Sequence, residues 1–220
     1  MDKFTRQSDF IKPEEMAAHK VLVVGAGGIG ASTIMFLSKM GLDEITVVDH
    51  DVLGNHNTPN TMLPESFKGS SKVSAMDETV TFFTNKQIDI VQRRIEDADL
   101  ILNHDIIISA VDSMKTREYI YKMFKKSKAK LFIDGRMSGE KFAIYSGLNS
   151  CKEFHEEYKK TLVKDEDADE GICTAKAIIY NTGGIGSYIC SIVKHYIVEE
   201  DIPYYIKGDF IKYFFNTVYI

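Results

Sequence analysis

Short apolar runs alternate with stretches of helical spacing through most of the chain. Val21 to Val24 is a continuous, largely β-branched run that stops at Gly25-Ala26-Gly27-Gly28-Ile29-Gly30. Ala31 to Met40 then predicts a helix, with Gly41 as its C-terminal cap. Glu44 to Asp49 predicts a second strand, ending on an acid. Strands apolar along their whole length belong in a buried parallel sheet, so this is a βαβ unit.

The pattern continues toward the C-terminus. Asp51 to Gly69 carries prolines and asparagines and reads as a loop with a few short turns. Val73, Met76, Val80 and Phe83 recur at helical spacing and predict a helix from Lys72 to Phe83. Ile88 to Val91 and Ile106 to Val111 predict strands, the second leading into Asp112. Ser113 to Lys128 predicts a helix whose basic end suits the helix dipole. Leu131 to Asp134 predicts another strand, and Phe142 to Tyr145 extends the sheet, with an antiparallel course in view. Glu153 to Glu170 holds eight acidic residues and little apolar periodicity, so residues 151–173 are expected to form a mobile crossing segment. Thr174 to Val198 predicts a long helix with a break in view at Gly183-Gly184, and Tyr204 to Ile220 predicts one or two closing strands. No linker divides the chain, so residues 1–220 are expected to form a single domain.

Composition narrows the class. The 220 residues are 44% hydrophobic and 27% charged, ordinary globular values. No apolar run approaches the roughly 20 residues of a membrane span. The segment Met1 to Phe10 lacks the apolar core of a secretory signal. A net charge of −5 disfavours nucleic acid as the main partner. Cys151, Cys173 and Cys190 cannot all pair, and none lies in a C-x-x-C. The expectation is a reduced, cytoplasmic α/β domain.

Gly25, Gly27 and Gly30 stand between a strand and a helix, as a phosphate-binding turn requires. The first permits a tight turn, the second lets backbone approach a phosphate, and the third lets helix pack on strand. Asp49 follows Gly30 by nineteen residues and is placed to accept ribose hydroxyls. This points to a Rossmann-like, mostly parallel sheet with helices on both faces and a few antiparallel C-terminal strands. NAD and ATP both remain open on these residues. The next stretch separates them. Asp49-His50-Asp51, the asparagines Asn55, Asn57 and Asn60, and Lys72 at a helix start have no evident use in hydride transfer. Attack on the α-phosphate of ATP builds negative charge, which a lysine, amide donors and an aspartate-held Mg²⁺ would stabilise. Asp112, at the carboxyl end of a strand, is the candidate Mg²⁺ ligand; its simpler role is a helix N-cap, and that of Lys72 a solvated helix position.

The blocks VLVVGAGGIG, ITVVDHDVLGNHN, KGSSKV and ISAVDS, in that order, resemble the ThiF/MoeB/HesA family, which includes the adenylation domains of ubiquitin-activating enzymes. The resemblance runs from about Arg6 to the helix near His195 and is strongest over residues 20 to 75. It implies binding of ATP and Mg²⁺. It also implies adenylation of a carboxylate, either the C-terminus of a ubiquitin-like or sulfur-carrier protein or a small acid. By position, Gly25, Gly27, Gly28 and Gly30 would line the nucleotide. Asp49 would hold the ribose, with Asp51 beside it in the same set. Asn57 and Lys72 would contact phosphates, and Asp112 would bind the metal. Arg6 resembles the family's N-terminal arginine, which reaches the ATP of the partner protomer in a homodimer. Two departures stand out: Asn60 occupies the place of the family's usual arginine, and the paired C-x-x-C motifs are absent.

Cys173 precedes the last helix, where a thiol can gain thiolate character and serve as an acceptor nucleophile, as in many family members. The acids Asp165, Glu166, Asp167, Asp169 and Glu170 oppose that shift, and a structural role stands equally open. Arg136 follows a strand and suits either a substrate contact or a salt bridge. Two other functions stay in view: a binding platform on the same fold, and an NAD-dependent oxidoreductase read from Gly25 to Asp49 alone.

Overall fold

The computed structural model describes residues 3–97, 103–162 and 177–220. Its strands are β1 (Lys20–Val24), β2 (Glu44–Val48), β3 (Asp89–Val91), β4 (Ile106–Ser109), β5 (Leu131–Ser138), β6 (Lys141–Leu148), β7 (Tyr205–Asp209) and β8 (Phe214–Val218). The helices are α1 (Pro13–Ala17), α2 (Gly28–Met40), α3 (Lys72–Thr84), α4 (Met114–Lys126), α5 (Lys152–Lys160) and α6 (Ile179–Ile197). One sheet runs in the order β3-β2-β1-β4-β5-β6-β7-β8. The first five strands of that order are parallel, and β6, β7 and β8 add antiparallel.

Alternation along the strands builds a core on each face. Val21, Val23, Ile106 and Ile108 face α2, α3 and α6, while Leu22, Val24, Ile107 and Phe132 face α4 and α5. Because both faces are covered there, β1, β2 and β4 are apolar at most positions, which is why they read as near-continuous runs.

Local chemistry sets the helix ends. The Ser71 hydroxyl accepts the Ser74 N–H at 3.2 Å and starts α3. Ser113 does the same for α4, accepting the Thr116 N–H at 3.3 Å. The cap of α4 is therefore Ser113, which leaves Asp112 outside that role. The N-cap of α2 is Gly27, with no side-chain cap, and Gly41 closes the helix at φ 105°.

Two expectations change. The stretch expected to be mobile from residue 151 begins with α5: Phe154 and Tyr158, one turn apart, are both fully buried, and the Cys151 sulfur accepts the Phe154 N–H. That pair is a helical period too short to stand out among acids and lysines. Residues 163–176, including Cys173 and the acids before it, lie outside the described residues. The second change is in α6, which runs unbroken through Gly183 and Gly184. Gly186 explains why small residues are used there: a Cβ at that position would lie 2.8 Å from the Ser32 Cβ, so the glycine lets α6 close on α2. Cys190 lies in the same interface, and burial pushes its thiol pKa up. Among the described residues no helix is long and apolar enough to cross a membrane.

Candidate functional site

The sheet order reverses at β1, with β2 on one side and β4 on the other. The chains leaving β1 and β4 part company there and open a crevice at the strands' carboxyl ends. A cavity of about 970 Å³ occupies it. That is the upper range for sites that take drug-sized ligands and cofactors, roughly 300–1,000 Å³.

The floor is the glycine turn. Gly25 has φ 102°, and a Cβ there would meet the Ala110 carbonyl oxygen at 2.6 Å. A Cβ on Gly30 would come within 1.8 Å of the Gly25 carbonyl oxygen, so Gly30 lies behind the turn and locks α2 to β1. Gly27 differs: a Cβ there would meet nothing within 4 Å, so the space beside it belongs to the cavity. The uncapped first N–H groups of α2 suit an anion at this point.

Asp49 braces the turn from β2. One carboxylate oxygen accepts the Ala26 N–H at 2.7 Å and the other accepts the Asp51 N–H at 2.8 Å. Each oxygen keeps capacity for a further donor. Asp51 is paired with Lys72 at 2.7 Å. Partial burial raises the Asp51 carboxyl pKa, but the hydrogen bond and charge of Lys72 outweigh it and hold the group below the usual carboxylate range. The Lys72 side chain is only 10% exposed, so it is no solvated helix residue: it enters the cavity from the start of α3 with its ammonium held by Asp51. The Asn57 carboxamide oxygen accepts the Gly54 N–H at 3.0 Å and shapes the loop wall. Asn60, in the place of the expected arginine, accepts the Thr182 hydroxyl on its backbone carbonyl at 3.3 Å.

Asp49, His50 and Asp51 bring ligand atoms within 4.8 Å of one another. Their carboxylates are already engaged with amides and Lys72. Asp112, exposed on the opposite wall, is the carboxylate free of helix capping, and its hard oxygens fit Mg²⁺.

The cavity thus gathers Gly25, Gly27, Gly28, Asp49, Asp51, Asn57, Lys72 and Asp112. Arg6 stands elsewhere. It is exposed, in a segment tied to the far end of α2 by the Gln7 carboxamide donating to the Met40 carbonyl at 2.6 Å. A 13-residue helix is roughly 20 Å long, which separates Arg6 from the glycine turn of its own chain. Arg93, Arg94 and Arg117 line the cavity and were not singled out from the sequence. Arg93 and Arg94 stand two and three residues beyond β3, and that position at a parallel strand's carboxyl end was the available signal. Arg136 is buried in a salt bridge to Asp134 at 2.7 Å, which settles its two readings in favour of structure.

The strand reversal, glycine turn and open start of α2 define a doubly wound α/β domain of the nucleotide-binding class. The chain belongs to the ThiF family, whose profile matches residues 12–215. It is 26% identical over 133 residues to the SAMP-activating enzyme E1 of Haloferax volcanii, with 53% of this chain and 47% of that protein aligned. It is 28% identical over 120 residues to the molybdopterin-synthase adenylyltransferase of Escherichia coli, with 52% and 48% aligned. The chain spans about half the length of these curated relatives. The structure of E. coli MccB with ATP has the same fold, with TM-score 0.76 and 16% identity over 94% of this chain and 65% of that one.

Proposed function

We propose that this chain is an ATP-dependent adenylyltransferase. Its substrate is a carboxylate, the C-terminus of a ubiquitin-like or sulfur-carrier protein, with a small carboxylate as the variant case. A carboxylate oxygen attacks the α-phosphorus, the bond from that phosphorus to the oxygen bridging to the β-phosphorus breaks, and diphosphate leaves. The observation carrying this reading is the buried Lys72, held by Asp51 in the same cavity as the glycine turn and Asp112. A dehydrogenase has no use for that set.

The roles follow from placement. Gly27, Gly28 and the start of α2 receive phosphate oxygens through backbone N–H groups, Gly25 makes the turn with its own N–H donated to the Val48 carbonyl at 2.8 Å, and Gly30 keeps that turn close to β1. Asp49 accepts the ribose hydroxyls while bracing the turn, and Asp51 keeps Lys72 aimed. Lys72 and Asn57 donate to the phosphates, where a preorganised donor acts on charge that grows in the transition state. Mg²⁺, when bound, neutralises charge on phosphate oxygens, and Asp112 is the residue to hold it. Arg6 is too far to serve its own cavity, which supports action on the partner protomer of a homodimer. Cys173 is the acceptor nucleophile for a later thiol adduct; Ala177, four residues further on, lines the cavity. Neither nucleic acid nor a membrane enters this reaction, and the location we propose is the cytoplasm, where ATP is supplied.

ATP–diphosphate exchange with candidate carboxylates tests the first half-reaction, and calorimetry with ATP and NAD tests the nucleotide. Tighter binding of NAD than of ATP overturns the reading. Cys173→Ser should keep exchange and lose any thiol-labile adduct; an unchanged adduct with Cys151 and Cys190 intact removes Cys173 from the chemistry.

A further inference from the structure

Behind the Asp112 wall lies a buried ionic cluster that the adenylation reading does not use. Asp134, fully buried in β5, accepts from the Arg117 guanidinium on one oxygen. On the other it accepts from Arg136 Nε at 2.7 Å and from the Tyr158 hydroxyl at 2.9 Å. Burial alone would raise the Asp134 carboxyl pKa, but the two guanidinium groups outweigh it and hold the acid ionised. The two arginines then diverge. Arg136 donates to the Thr161 carbonyl at 3.0 Å and its hydroxyl at 2.9 Å, beyond the end of α5. Arg117 donates to the Gly135 carbonyl at 3.1 Å and to the Val111 carbonyl.

Val111 immediately precedes Asp112. The chain leaves β4 with the Ala110 N–H donating to the Val24 carbonyl at 2.8 Å, and it enters α4 at the Ser113 cap. Between these two tethers Arg117 holds the Val111 carbonyl. Asp112 is exposed and makes no cap, so its direction depends on the peptide before it.

We infer that Arg117 is a positioning residue for Asp112: its guanidinium, fixed by Asp134, holds the Val111 carbonyl and so sets where the Asp112 carboxylate points. This rests on the proposed role of Asp112 toward Mg²⁺. A purely stabilising cluster would not need this arrangement, because buried ion pairs are often no better than apolar packing of the same volume. A guanidinium offers a planar fork that spans three acceptors, two within β5 and one just beyond β4, and a lysine ammonium keeps the charge without that reach. The two arginines share one anion and differ in what they tether, which gives a matched control.

The test is calorimetry of ATP binding as a function of Mg²⁺ for wild type, Arg117→Lys and Arg136→Lys. Loss of a supporting partner typically costs about 10–100-fold in metal affinity, so Arg117→Lys should need at least tenfold more Mg²⁺ for half-maximal enhancement. Its Mg²⁺-free ATP affinity should stay at the wild-type value. Arg136→Lys should lose stability and keep the wild-type Mg²⁺ dependence. A folded Arg117→Lys with wild-type Mg²⁺ dependence, or equal shifts in both variants, overturns the inference. If Arg117→Lys does not fold, the wild-type protein still decides: Mg²⁺ added to the ATP complex should shift the NMR resonance of the Arg117 side chain more than that of Arg136, and equal or absent shifts overturn the inference. A wild-type protein that binds ATP without regard to Mg²⁺, or not at all, defeats the proposed function instead.

Discussion

Asp134 and Asp51 are both aspartates at the carboxyl end of the sheet, and both are paired with cations. Their surroundings differ. Asp134 and its arginines are at most 5% exposed, although Arg117 also borders the cavity. Asp51 is 50% exposed, and its lysine faces the cavity. In the first site, charge shut away from water is met by three side chains and backbone carbonyls, with Arg117 Nε left without a hydrogen-bond partner, so the cluster acts as a clamp. In the second, water and ligand complete the environment, so the pair holds a cation ready for something that arrives. The same chemistry thus serves support in one place and, in the function we propose, binding in the other, and burial is what separates them.

Removing the anion from the clamp should have the largest effect. Asp134→Ala leaves two buried guanidinium groups without their counter-charge and should lower stability by about 3–5 kcal/mol in denaturant titration. Lys72→Ala is the counterpart and should reverse the pattern. It should cost about 2–4 kcal/mol in transition-state stabilisation, measured by exchange kinetics. Its unfolding free energy should change by about 1 kcal/mol or less, since Asp51 can turn to water. Equal stability losses in the two variants would erase the comparison.

Acid sharpens it further. The folded pKa of Asp134 lies below its ordinary 3.8, so the unfolded chain takes up the proton first. The stabilisation is complete above pH 3.8 and is lost as pH falls through the lower folded value. Stability measured from pH 5 to pH 2 should therefore drop more steeply in wild type than in Asp134→Asn. The smallest effect is expected at Asn60. Asn60→Arg returns a cation to the loop wall and should tighten ATP by about 1 kcal/mol in calorimetry, because the position is partly open to water. Unchanged affinity would show that Arg93 and Arg94 already supply the charge.

Most of the parallel half was legible because burial on both faces writes β1, β2 and β4 as unbroken apolar runs. The glycine turn, Asp49 and Lys72 were legible because each stands at a strand or helix boundary. The clamp was not. Asp134 and Arg117 are 17 residues apart and meet only when β5 lies beside β4, and nothing local marks a charge that will be buried. The helix α5 was hidden for a related reason: its two buried aromatics are outnumbered by exposed charges. The role of every site residue stays a proposal; Cys173 lies outside the described residues, and the effect of Arg6 needs a second chain.

The glycines of α6 carry a consequence for tolerance to heat. A helix interior glycine costs about 0.5–1 kcal/mol relative to alanine, and α6 holds three. They are not equivalent. Gly186 is where α6 touches Ser32 of α2, the helix that begins at the glycine turn. At Gly183 a methyl group would meet nothing within 4 Å. Gly183→Ala should therefore raise the melting temperature, whereas Gly186→Ala should lower it by prying the two helices apart. The melting point of this chain can thus be tuned from a helix that carries none of the groups proposed to touch ATP.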